Sequence, residues 1–201
     1  MKLLVFDTET SGLPTTKQIN LETLSLWPNI VQLSWVVLDT ETLKLIEYDY
    51  IISSNTISEE SINIHGITQS MNKERGYKFG CIYDIFEICL STCDIIIGHN
   101  IDFDINMIKV ECMRLNIVFT LSKPVYCTMK STTQMCKIPQ GFGYKWPKLE
   151  ELHKYLFNES ASNLHDAIID VIVCLRCYYQ LMYKKDLFED MKTLRKRVHM
   201  V

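Results

Sequence analysis

The sequence contains no run of about 18 uncharged apolar residues, the length a helix needs to cross a bilayer. Its first residues pass straight into an apolar stretch, with no basic-then-apolar leader. Neither a membrane span nor a secretory signal is indicated, and a soluble, cytoplasmic or otherwise intracellular protein is expected. Cysteine pairs are scarce as well. Cys81, Cys89, Cys93, Cys112, Cys127 and Cys136 are scattered through apolar segments, as buried thiols in a reducing compartment are. The one close pair, Cys174 and Cys177, has no second pair or histidine at zinc spacing, which favours packing over a metal knot. Positive charge is not in excess: 21 Lys and Arg stand against 24 Asp and Glu, a formal net charge of −3. That balance argues against strong non-specific duplex binding without excluding a polyanionic substrate.

Against these absences stand 201 residues of which 47% are apolar, enough for one sizeable core. The division expected is a domain over 1–183 and a basic C-terminal helix or tail over 184–201. Six basic residues of that last segment (Lys184, Lys185, Lys192, Arg195, Lys196, Arg197) face three acidic ones, which suits a surface helix and a docking site.

The chemistry begins at Asp7-Thr8-Glu9, which closes the apolar run Lys2-Leu3-Leu4-Val5-Phe6. Such a run, bounded by a loop rich in Thr, Gly and Pro, reads as a buried strand. Residues two apart in a strand share a side, so Asp7 and Glu9 converge while Thr8 faces away. Two like charges that close repel unless a cation sits between them. Taken alone, the pair also fits a solvated turn.

Two later segments change this: His99-Asn100-Ile101-Asp102-Phe103-Asp104 and His165-Asp166-Ala167-Ile168-Ile169-Asp170. With Asp7-Thr8-Glu9-Thr10-Ser11-Gly12 they resemble, in order and spacing, the three motifs of the proofreading-type (DnaQ-like) DEDDh 3′-to-5′ exonucleases. The resemblance covers nearly the whole chain. It implies an α/β ribonuclease H-like fold, with a central mixed five-stranded sheet flanked by helices. It also implies a metal set of Asp7, Glu9, Asp104 and Asp170 holding two Mg²⁺ or Mn²⁺ ions, with His165 as the catalytic base. Two divalent cations would raise the net charge of −3 by four, to +1. Asp102 lies on a different helical face from Asp104, and the phase of the motif favours Asp104 as the ligand.

The substrate contacts expected are Thr8, Thr10, Leu13, His65, Asn100 and Trp146, those at Leu13 and His65 implied by the resemblance. Leu13 would pack against the terminal base, or serve as a loop anchor. His65, in Ile64-His65-Gly66-Ile67-Thr68, would border the nucleotide or be a structural histidine. Lys137 to Lys148 interleaves lysines with Phe142, Tyr144 and Trp146, as a single-strand contact loop does; an ordinary loop around a buried tryptophan is the alternative.

Elsewhere, Ile30 to Thr40 and Leu43 to Ser53 read as an antiparallel hairpin. Ser58 reads as a cap, Thr68 to Lys78 as a solvated polar loop, and Phe79 to Cys93 as an amphipathic helix. Asp94 to Gly98 reads as a short strand before a helix at Ile101 to Asn116. Ser162 or Asn163 is placed to cap a long helix from about Leu164 to Lys184. His165 and Asp170, five apart, share no helical face, so His165 belongs in a mobile loop ahead of the helix and Asp170 in its second turn.

The expected activity is metal-dependent release of 5′-mononucleotides from single-stranded or frayed 3′ ends, DNA favoured, in proofreading or repair. An RNA-trimming relative is the alternative, as is a polymerase-associated docking subunit. The chain contains no polymerase domain, so proofreading would need a polymerase partner.

Overall fold

The computed structural model describes residues 1–162 and 164–199, the side chains of Arg197 and His199 excepted. Strand β1 (Lys2–Thr10) is the middle of a five-stranded sheet of order β3-β2-β1-β4-β5. β2 (Ile30–Asp39) pairs antiparallel with both β1 and β3 (Lys44–Ile51). β4 (Ile95–Gly98) runs parallel to β1, and β5 (Val125–Cys127) parallel to β4. The mixed sheet follows from the connections. A tight turn suffices between β2 and β3, whereas β4 and β5 are reached through helices.

Alternation along β1 divides the core. Leu3 and Val5 pack with the C-terminal helix α7 (Ala167–Tyr183), and Leu4 and Phe6 with α3 (Phe79–Thr92) and α4 (Ile101–Arg114). At the end of β1 the same alternation turns Asp7 and Glu9 toward α7 and Thr8 toward α4. A register shift between Glu9 and Thr10 bends the strand there, as bulges beside functional sites do.

Several expectations change. Ser58 does cap α1 (Glu59–His65), which stops where Gly66 takes a left-handed φ of 74°. Thr68 to Lys78 is not an open loop: the Thr68 hydroxyl accepts from the Met71 N–H and starts α2 (Gln69–Arg75). The loop after β1 is pinned by the Arg114 guanidinium, which donates to the carbonyls of Leu24, Trp27 and Pro28.

Helix α7 starts at Ala167 rather than Leu164. Its cap is Asp166, the Ser162 hydroxyl instead donates to the Val198 carbonyl, and Asn163 lies outside the described residues. Between β5 and α7 run α5 (Thr128–Cys136), a hairpin of β6 (Pro139–Gln140) and β7 (Gly143–Tyr144), and α6 (Leu149–Phe157).

The basic C-terminal segment forms two short helices, α8 (Leu187–Asp190) and α9 (Lys192–His199). Leu187, Phe188, Leu194 and Val198 are buried in the same cluster as α7, so this segment has an apolar side within the core as well as a basic one. Among the described residues, no helix is long and apolar enough to cross a membrane.

Candidate active site

Three elements bring the carboxylates together. β1 supplies Asp7 and Glu9 at its end, α4 supplies Asp104 and α7 supplies Asp170. Each helix presents its aspartate at the fourth helical position, in the first turn, where the helix dipole favours a negative charge. Asp7, Glu9, Asp104 and Asp170 line one cleft of about 650 Å³, and His165 lies in its wall.

Asp104 is held from β1. The Thr8 N–H and hydroxyl both donate to its Oδ1, at 3.0 and 2.7 Å. Asp102 points elsewhere, to an exposed ion pair with Lys130. Asp166 caps α7, and its Oδ1 also accepts from the Gln32 side chain at 3.0 Å. Gln32 Oε1 in turn accepts from the Ala167 N–H, which ties the start of α7 to the sheet. His165, ahead of the helix, adopts a left-handed φ of 75°, and its N–H donates to Asp170 Oδ2 at 3.4 Å.

This constellation is short of positive charge. Burial, with mutual repulsion among the carboxylates, raises Glu9 to about 8 and Asp7 well above the usual carboxylate range. Burial likewise lifts Asp104 to about 7, against the pull of the two Thr8 hydrogen bonds, and Asp170 to about 7. Asp170 Oδ1 is buried with no hydrogen-bond partner among the described residues. Donor atoms of Glu9, His165 and Asp170 all lie within 4.8 Å of one another. An all-oxygen carboxylate set with an orphaned buried oxygen fits a hard divalent cation.

The remaining expected residues are placed differently. The Thr10 hydroxyl donates to the Gly12 carbonyl and so shapes the loop. Leu13, 82% exposed, lines both the cleft and a side groove that also includes His65. His65 Nδ1 accepts from the Ile67 N–H at 3.0 Å, and burial lowers its pKa. Asn100, left-handed at φ 66°, and Trp146 line the cleft. Trp146 is 60% exposed, which removes the buried-tryptophan alternative.

Sequence reasoning did not single out Phe103, which lines both cavities, or His99. The His99 ring bridges the Thr128 hydroxyl and the Pro147 carbonyl, each at 2.9 Å, and thereby holds the Trp146 loop at the cleft. Both side chains lie within the quoted motif, and only the folded contacts give them a part.

A three-layer α/β fold with clustered carboxylates at the end of its central strand defines a ribonuclease H-like nuclease domain. The chain matches the family model described as Exonuclease (RNase_T) over residues 4–178, and it belongs to that family, as a DEDDh-type exonuclease. It is therefore a hydrolase acting on nucleic acids. It is 30% identical over 134 residues to the DNA polymerase III subunit epsilon of Buchnera aphidicola subsp. Baizongia pistaciae, covering 65% of this chain and 52% of that protein. It is 26% identical over 192 residues to the same subunit of Buchnera aphidicola subsp. Acyrthosiphon pisum, covering 94% and 76% respectively. The chain thus spans about half of one relative and three quarters of the other.

Two solved structures share the fold. Exonuclease X in complex with 5′ overhanging duplex DNA is 18% identical, with a TM-score of 0.55 over 91% of this chain and 92% of that one. The Saccharomyces cerevisiae Pan2 pseudoubiquitin hydrolase–RNA exonuclease module, in complex with AAUUAA RNA, is 16% identical. Its TM-score is 0.58 over 98% of this chain and 32% of that one.

Proposed function

We propose that the protein is a divalent-metal-dependent 3′-to-5′ exonuclease that releases 5′-mononucleotides from DNA 3′ ends, in proofreading or repair beside a polymerase. The observation that carries this reading is the convergence of Asp7, Glu9, Asp104 and Asp170 in one cleft, with one Asp170 oxygen buried and without a partner among the described residues. DNA is favoured because both curated relatives are DNA polymerase subunits.

Phosphodiester hydrolysis needs a nucleophile made from water, neutralised charge at phosphorus and a stabilised leaving oxygen. Mg²⁺ or Mn²⁺ held by the four carboxylates would supply charge neutralisation and an acidified water. The chain's own contribution is to position and to move protons. Asp7 and Glu9 approach from β1 and Asp170 from α7, while Thr8 fixes Asp104 opposite them. His165, outside the helix, takes the proton of the attacking water at a ring nitrogen, acting as general base. Trp146 and Leu13 offer apolar surface to the terminal bases.

The test is a gel assay with 5′-labelled single-stranded DNA, the matching RNA and a mismatched primer duplex, each with Mg²⁺, Mn²⁺ or EDTA. The expected result is a metal-dependent ladder shortening from the 3′ end of DNA, faster at the mismatch. A ladder on RNA alone would overturn the DNA assignment, and cleavage unaffected by EDTA would overturn the metal assignment.

A further inference from the structure

The β6–β7 hairpin stands outside the carboxylate cluster yet leads into its cleft. Its turn carries Phe142, fully exposed, followed by Tyr144 at 43% and Trp146 at 60% exposure. Three exposed aromatic rings within five residues form an apolar surface of the kind that marks an interaction site. Gly141, at φ 55°, allows the turn that presents Phe142. Strand β7 ends at Tyr144, and between it and Trp146 the Lys145 ammonium meets Glu151 at 2.6 Å. Trp146 lines the cleft beside the carboxylates, so the row of rings begins at the site and runs outward to the hairpin tip.

We propose that Trp146, Tyr144 and Phe142 form a stacking track for the bases upstream of the 3′-terminal nucleotide, so that the enzyme prefers ends with three or more unpaired nucleotides. This rests on the exonuclease reading above. Three exposed rings give each of three unpaired bases a face to stack on.

Charge favours stacking over phosphate contacts here. Lys145 is engaged by Glu151, Lys148 lies 3.7 Å from Glu150, and the chain as a whole carries −3. Stacking tolerates any sequence, because every base has a π face. That suits an enzyme which must accept whichever base stands at the end. The track is continuous with the cleft, and its occupant is the strand being degraded.

The experiment uses 5′-labelled duplexes with 3′ overhangs of zero to six nucleotides and the full chain with Mn²⁺. For the unaltered protein, kcat/KM is expected to rise at least about tenfold between one and four unpaired nucleotides, given the strength of base–aromatic stacking. In a Phe142→Ala, Tyr144→Ala double variant that rise should shrink to less than threefold, whereas Phe142→Tyr should keep it. Val118→Ala, at an 82% exposed apolar residue elsewhere, should also keep it. Thermal melting of each variant verifies folding. Cleavage without dependence on overhang length, or a double variant that retains the dependence, would overturn the track and leave the hairpin to another partner such as a protein. No cleavage of any substrate would overturn the exonuclease reading and the track with it.

Discussion

Thr8 donates both its backbone N–H and its hydroxyl to the same oxygen of Asp104, at 3.0 and 2.7 Å. Residues on opposite sides of β1 thus serve one cluster: Asp7 and Glu9 enter it directly, and Thr8 aims the carboxylate that α4 contributes. Losing such an outer hydrogen bond commonly weakens metal affinity by about 10–100-fold. Thr8→Val should therefore raise the Mn²⁺ concentration for half-maximal activity at least about tenfold, and Thr8→Ser should restore it. An unchanged Mn²⁺ titration in the valine variant would deny Thr8 this part.

Asp170 has one buried oxygen without a partner among the described residues, and neighbours of like charge. In the metal-free protein this carboxylate is a source of strain, of the kind that functional sites retain at the expense of stability. Asp170→Asn should abolish turnover and raise the melting temperature measured in EDTA, because it removes one charge from a buried, mutually repelling set. Full activity in the variant would remove Asp170 from the reaction, and a lower melting temperature would remove the strain.

His165 stands before α7 with a left-handed backbone, free of the helix that fixes Asp170. In the proposed mechanism its imidazole is the base, and it also lies near enough to Glu9 and Asp170 to be a ligand. The two roles separate experimentally. His165→Ala should lower kcat by about 10²–10⁴-fold, the usual contribution of a general base, with Mn²⁺ affinity by calorimetry changed less than threefold. Lost binding would make it a ligand, and an unchanged rate would give it neither role.

His99 is held neutral. Burial pushes its pKa down to about 4 from 6.5, outweighing the Pro147 carbonyl hydrogen bond. The unfolded chain therefore binds a proton between pH 6.5 and 4 that the folded chain does not, and the stability carried by this ring is lost as pH falls through that window. The difference in melting temperature between the unaltered protein and His99→Gln should shrink as pH drops from 7 to 4.5. A difference constant over that range would mean that His99 charges freely in the fold.

Much of this arrangement was legible in the chain. Alternation in β1 put Asp7 and Glu9 on one side, and the resemblance carried by the three acidic segments implied the sheet and the four carboxylates. What escaped was non-local. Gln32 holds the start of α7 from 134 residues away, and His99 reaches a carbonyl 48 residues further on, with no periodicity to announce either. The polar composition of Thr68 to Lys78 suggested solvent, yet a threonine cap and a short helix were enough to order it. The C-terminal segment read as basic because six charges outweigh, by count, the four apolar side chains that it buries.

Arg176 explains why that segment stays down. It is 1% exposed and lies between the rings of Phe157 and Phe188, 3.8 and 4.2 Å from their centroids. Its guanidinium donates two hydrogen bonds to Asp186, at 2.8 and 2.6 Å, and one to Glu159 at 3.1 Å. A buried charge pair is a weak source of stability as a whole, but removing one partner strands the other and costs about 3–5 kcal/mol. Arg176→Ala should therefore destabilise the protein by about that amount in urea unfolding and increase amide exchange in α8 and α9. Arg176→Lys should recover only part, since an ammonium neither stacks as a plane between two rings nor donates as a fork. Equal stability of all three proteins would show that the apolar contacts of Leu187, Phe188 and Leu194 hold the segment without the guanidinium.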